Sequence, residues 1–211
     1  KFQPESLMMS HGFESRDFNN SLKFPIFHSS TFVFNTAEEG KDFFEIAYGI
    51  RERRENEKLG PIYSRLQNPV VDVLESRLRV WEMAEDCVVF ASGMAAISTI
   101  LMEFLKPGDT LVYSSLYAGT IYFIENFLSR FGINVLRFAP GQERSNLEQL
   151  IASKGCESSV AMMYIETPAN PTNSLIDIRR CKSIANDLTD NGKKVILAVD
   201  NTLKGDRKSA V

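Results

Sequence analysis

The chain has 211 residues, 44% of them AVILMFWYC, enough to bury the core of one globular domain with an arm. Its formal net charge of −3 supplies no general attraction for nucleic acid or an anionic membrane, so neither is expected as a partner. No apolar run approaches the ~20 residues that cross a bilayer, and Cys87, Cys156 and Cys181 fit no metal-ligand spacing.

Residues 1–60 hold aromatic extended pieces, Phe24 to Phe34, and a charged stretch of both signs, Arg51 to Lys58, that reads as a solvated loop or helix face. With little regular periodicity, this segment is expected to form an N-terminal arm or clasp. No signal peptide is visible, but residue 1 is Lys rather than Met, so a removed targeting segment stays open. Two of the three cysteines sit in apolar surroundings, which favours small buried thiols in a reducing, cytoplasmic compartment.

From Asn68 the pattern becomes regular. Asn68-Pro69 is a helix opening, with Asn as cap and Pro in the first helical position. Val70, Val73, Leu74, Leu78 and Trp81 then share one helical face. Strands are expected at Cys87–Phe90, Thr110–Tyr113, Asn134–Phe138, Val160–Ile165 and Val195–Val199. Helices are expected near Met94–Leu105, Thr120–Phe131, Asn146–Ser153 and Ile178–Asn191. Ser145 with Glu148 reads as a capping box, and Lys106-Pro107-Gly108-Asp109 as a helix stop and turn. Strands alternating with helices predict an α/β fold, a mostly parallel sheet with helices on both faces. Ligands of such sheets sit outside the carboxyl ends of the strands.

Four strand exits carry informative residues. Ala91-Ser92-Gly93-Met94 follows an apolar run and opens a helix, where small residues and free N–H groups suit a phosphate; alone it is equally a plain cap. It is neither a Walker loop nor a dinucleotide fingerprint. Tyr117 offers a ring that could lie on a planar ligand or be an ordinary half-buried tyrosine. Glu166-Thr167-Pro168-Ala169-Asn170-Pro171 is a stiff loop that fixes the Asn170 amide. Asp200 ends an apolar run, where a carboxylate needs a partner: a cationic ligand, or a helix start for which no helical pattern follows.

In order and spacing these loops resemble the pyridoxal-phosphate (PLP) dependent Cys/Met-metabolism family, which includes cystathionine γ-synthase, the cystathionine lyases, methionine γ-lyase and the homoserine sulfhydrylases. Ser10-His11-Gly12, Pro25 to Phe34, Tyr63-Ser64-Arg65 and Asn68-Pro69 also resemble it, so the likeness runs from about residue 8 to 202. It implies the large domain of a fold type I PLP enzyme, incomplete, over 61–202, with a clasp arm over 1–60 and a divergent tail over 203–211.

The resemblance also implies roles. Gly93 and Met94 would bind the cofactor phosphate, with Ser92 at the loop entry. Tyr63 and Arg65 would reach the phosphate of a neighbouring subunit, giving a homodimer or homotetramer with shared active sites. Tyr117 would stack on the ring and serve catalysis. Asn170 would meet the ring oxygen, with Glu166 in support. Asp200 would face the ring nitrogen, with Thr202 nearby; a carboxylate there favours the protonated ring. The substrate would be a small sulfur amino acid, processed by β- or γ-elimination or by γ-replacement.

Gly119 departs from the cysteine usual in methionine γ-lyases, which lowers that activity among the candidates. Beyond Thr202 the family's lysine-bearing segment is not found, and Lys204 and Lys208 read as solvated tail charges. The competing readings are a non-catalytic fragment that oligomerises and at most binds PLP non-covalently, and a generic doubly wound protein for another phosphorylated ligand.

Overall fold

The computed structural model describes residues 3–55, 57, 59–189 and 194–204. The chain divides into two compact units, Lys1–Val89 and Phe90–Val211.

Among the described residues, the first unit contains the α-helices α1 (Pro4–Leu7), α2 (Ala37–Ala47) and α3 (Pro69–Glu82), with a 3₁₀ turn over Ser15–Phe18. The Asn68 cap forms as its sequence predicts: its Oδ1 accepts the Val70 N–H at 2.9 Å, and Pro69 occupies the first turn. Helix α2 lies inside the segment expected to lack regular periodicity. Its start is a reciprocal cap: Thr36 Oγ1 accepts the Glu39 N–H at 3.1 Å, and Glu39 Oε2 accepts the Asn35 N–H at 2.7 Å. Phe13, Phe18, Phe24 and Phe27 pack edge-on or tilted with centroids 5.0–6.0 Å apart, an aromatic cluster that organises the extended pieces.

The charged stretch is a loop, exposed over residues 52–55, that is closed by one half-buried pair. Arg51 grips Glu57 with both guanidinium arms, Nη1–Oε2 at 2.9 Å and Nη2–Oε1 at 2.6 Å. That hydrogen bond, aided by the Arg54 N–H, holds the Glu57 carboxyl down to about 2. A fork-to-fork pair closes the loop because it aligns two hydrogen bonds in one plane.

The second unit is a four-stranded, wholly parallel sheet in the order β2-β1-β3-β4: β1 Thr110–Tyr113, β2 Asn134–Arg137, β3 Val160–Glu166 and β4 Ile196–Asp200. Helices α4 (Gly93–Phe104), α5 (Ala118–Asn126), α6 (Gln142–Ser145), α7 (Leu147–Ser153) and α8 (Ile178–Asp187) complete it. Side chains of a strand alternate between faces, and two cores result. Val112, Met163 and Ile165 join Leu147, Ile151 and Ile184 of α7 and α8. Leu111, Tyr113, Met162 and Tyr164 join Leu101 and Ile124 of α4 and α5. The sheet is therefore covered by helices on both faces, the α/β fold that the alternation predicts.

Several expectations are corrected. Cys87–Phe90 forms no strand among the described residues, and Val88 is 66% exposed; the Val89 N–H donates to the Glu75 side chain at 2.9 Å, and an apolar run becomes a strand only where a neighbouring strand takes its backbone groups. Ser145 does not cap with Glu148. It ends α6, Asn146 stands at the start of α7, and the Glu148 carboxylate is drawn to Arg180 Nη2 at 2.6 Å. The Thr120–Phe131 helix tightens to a 3₁₀ turn over Leu128–Phe131, which Gly132 closes at φ 75°. Helix α8 stops at Asp187, and Asn191, the expected end, lies outside the described residues, as do Lys208 and most of the 203–211 tail.

Only Cys181 of the three thiols is buried; Cys87 and Cys156 are half-buried. Burial, and secondly the Glu143 carboxylate, push the Cys181 thiol up to about 12 from 9.0. In the unfolded chain it ionises near its ordinary value, so the native state holds the extra proton between those two limits. The Cys181 contribution to stability should accordingly fall as pH rises through that window. A thiol reagent at pH 8 should leave Cys181 unmodified until denaturant is added; labelling in native buffer would contradict this burial.

Candidate functional site

The order β2-β1-β3-β4 sends the connections from β1 and β3 in opposite directions, so a crevice opens beyond the carboxyl ends of β1 and β3. A cavity of ≈ 240 Å³ lies there. Gly93 and Met94 reach it from the start of α4 and Tyr117 from the exit of β1. Glu166 and Asn170 come from the exit of β3, and Asp200 and Thr202 from the exit of β4. Ile97 and Leu203 add apolar walls that the sequence reading did not single out.

Each position follows from local chemistry. Ser92 is the helix cap, its Oγ accepting the Ala95 N–H at 3.1 Å, and it does not line the cavity. The N–H groups of Gly93 and Met94 belong to the first turn, which has no intrahelical acceptors. A Cβ added at Gly93 would meet nothing within 4 Å, so the approach to this helix start is open. The donor dipoles there suit an anion.

Glu166 is the crosspiece of the site. It is 2% exposed, and its two oxygens accept from two different loops: Oε2 from the Tyr117 N–H at 2.5 Å and Oε1 from the Asn170 N–H at 2.9 Å. Such charge-assisted bonds are short and strong. They fix the aromatic loop and the Pro-rich loop to one carboxylate. Its own N–H donates to Ser114 Oγ at 3.3 Å.

Asp200 pairs in register with Glu166 at the ends of β4 and β3. Its Oδ1 accepts the Thr202 N–H at 3.0 Å and the Thr202 hydroxyl at 2.6 Å, a turn stabilised by the side chain. Its Oδ2 accepts from the Tyr164 hydroxyl at 3.4 Å. The carboxylate thus caps a turn and also faces the cavity. Tyr164, on the inner part of β3, carries no motif and was missed; the signal was a hydroxyl in a strand that is otherwise apolar.

The Tyr117 ring is 47% exposed. It lies over Gly119, where an added Cβ would come within 2.6 Å of Tyr117 Cε1. A side chain at 119 would displace the ring, so the missing cysteine has a geometric consequence here. Tyr63 and Arg65 belong to the first unit, where the Arg65 guanidinium sits 5.0 Å from the centroid of the Tyr63 ring.

The donor set fits PLP: first-turn N–H groups of a helix, an aromatic ring, an amide and a carboxylate line one mostly apolar cavity. Among the described residues, no group of His, Cys, Asp and Glu is arranged to hold a metal ion, and no helix is long and apolar enough to cross a membrane.

Residues 5–206 match the family described as Cys/Met metabolism PLP-dependent enzyme. The chain is 34% identical over 193 residues to an L-methionine gamma-lyase of Pseudomonas deceptionensis, covering 91% of this chain and 43% of that protein. It is 33% identical over 178 residues to an O-succinylhomoserine sulfhydrylase of Pseudomonas aeruginosa, covering 83% and 39%. Among solved structures, a putative O-acetylhomoserine (thiol)-lyase of Campylobacter jejuni, which carries a pyridoxyl-lysine phosphate, superposes with a TM-score of 0.77 at 28% identity. That match covers 96% of this chain and 45% of that one. The chain therefore spans about two fifths of the length of these curated relatives.

Proposed function

This chain belongs to the Cys/Met metabolism PLP-dependent enzyme family, and from that premise we propose that it supplies the cofactor cradle of a lyase or transferase acting on a sulfur amino acid. The reaction class is β- or γ-elimination or γ-replacement, as in the lyase and sulfhydrylase relatives. The observation that carries this reading is the meeting of Gly93, Met94, Tyr117, Asn170 and Asp200 around one cavity.

In this reading the first-turn N–H groups of Gly93 and Met94 take the cofactor phosphate. Asp200 holds a proton on the ring nitrogen, Asn170 donates to the ring oxygen, and the Tyr117 ring covers one face. Thr202 keeps Asp200 oriented, and Glu166 keeps Tyr117 and Asn170 in place. Bound PLP supplies an electron sink for charge that develops on the substrate carbon, and a protonated ring makes that sink deeper. Water is kept from the face covered by Tyr117 and from the wall formed by Ile97 and Leu203. Tyr63 and Arg65 serve the phosphate of a second copy, with residues 1–60 as the clasp of a homodimer or homotetramer and the cytoplasm as its setting.

A second reading is non-covalent cofactor binding by an oligomeric, non-catalytic chain. It draws on the absence of a lysine from the cavity walls among the described residues; Lys204 stands in an exposed turn, its N–H donating to Asn201 O at 2.8 Å. Titrating the purified chain with PLP and then treating it with borohydride tests both. Saturable binding is expected. An unchanged protein mass after reduction favours the non-covalent reading, a gain of one pyridoxyl phosphate favours a lysine of this chain, and no saturable binding at millimolar PLP rejects the cradle itself.

A further inference from the structure

We propose that Tyr164 is a positioning residue that fixes the Asp200 carboxylate for the ring nitrogen, an inference that rests on the cofactor reading above. Tyr164 is 3% exposed and packs within the core beneath α4 and α5. A buried tyrosine hydroxyl requires a partner, and here it donates to Asp200 Oδ2 at 3.4 Å. The neighbouring strand positions show why this contact exists. Tyr164 pairs in register with Ala198 on β4, and Asp200 lies one side-chain repeat further on the same strand. The small Ala198 side chain leaves room for a phenol that points along the sheet toward position 200.

The division of labour between the two carboxylate oxygens is the core of the argument. Thr202 occupies Oδ1 twice, through its N–H and its hydroxyl. Without Tyr164 only one oxygen would be restrained, and rotation about the last side-chain bond would remain soft, since that torsion is broad. Tyr164 holds the second oxygen from the core side. A phenylalanine would fill the same volume in the core, so packing alone gives no reason for the hydroxyl. Burial first, and then the Asp200 charge, raise the phenol well above its ordinary value, which keeps it a donor throughout the pH range of stable protein.

The test compares PLP with its 1-deaza analogue, in which a C–H replaces the ring nitrogen. Dissociation constants are measured on the purified chain for wild type, Tyr164→Phe, Asp200→Asn and the double variant, with thermal midpoints recorded in parallel. Tyr164→Phe is expected to weaken PLP about tenfold, the scale of one hydrogen bond to a charged group. The deaza analogue should bind as before, and the thermal midpoint should hold. In the Asp200→Asn background the second change should have no further effect. Equal weakening of both ligands would assign Tyr164 a purely structural role, and unchanged PLP affinity would remove it from the site; either overturns the inference while leaving the cradle intact. Wild type that binds neither ligand would reject the cofactor reading and the inference with it.

Discussion

Asp200→Asn should weaken PLP binding by about ten- to a hundredfold, because it removes the charged partner of a protonated ring nitrogen, an interaction on the order of 1.5–3 kcal/mol. The substitution keeps the shape of the side chain and an Oδ1 acceptor for Thr202, so the turn that closes β4 survives. The loss should therefore appear in affinity for PLP and be small in unfolding free energy. Inorganic phosphate, which needs only the helix start at Gly93, should compete for the variant and the wild type alike. An Asp200→Asn chain that binds PLP as wild type does would mean that the carboxylate serves the turn alone.

Glu166→Ala should be the most destabilising single change at the site, by about 2–4 kcal/mol in urea unfolding, since it empties the space of a side chain only 2% exposed and removes two charge-assisted hydrogen bonds. Their donors are the Tyr117 and Asn170 amides, which now share one carboxylate. Glu166→Gln retains one acceptor oxygen and the side-chain volume, and should cost roughly half as much. Both variants should also bind PLP less tightly, because the aromatic loop and the Pro-rich loop lose their common anchor. A Glu166→Ala chain with wild-type stability would show that the loops are fixed by other contacts.

Much of the second unit was legible because its apolar runs are short and separated by turns, so four of the five expected strands pair as parallel neighbours. The fifth, Cys87–Phe90, shows the limit of that reasoning. Apolar character can be read from one segment, whereas pairing depends on a partner strand elsewhere. The capping signals failed and succeeded for a similar reason. Ser145 and Glu148 have the spacing of a box, but Arg180, distant in sequence, takes the Glu148 carboxylate. Thr36 and Glu39 have the same spacing and do form a cap, which would have revealed α2 within the segment read as an arm.

The site divides along the same line. Tyr117, Asn170 and Asp200 follow strand ends, where the fold class itself directs the search, and they converge on one cavity with Gly93 and Met94 of the α4 start. Ser92 caps α4 by accepting the Ala95 N–H, a role that its place before the helix start makes legible. The bridging of two loops by Glu166 depends on which amides its oxygens face, and the hold of Tyr164 on Asp200 depends on strand register. Local sequence shows at most a hydroxyl and a carboxylate in an apolar strand, never which groups they meet. Asp200 closes a turn with Thr202 through one oxygen and also lines the cavity, a double placement that depends on the fold around it.

The most direct examination is a crystal structure of the chain with PLP added. The account predicts the phosphate at the first-turn amides of Gly93 and Met94, and the ring nitrogen within hydrogen-bond distance of the Asp200 carboxylate. A cofactor seated elsewhere, or one whose nitrogen points away from Asp200, would contradict it.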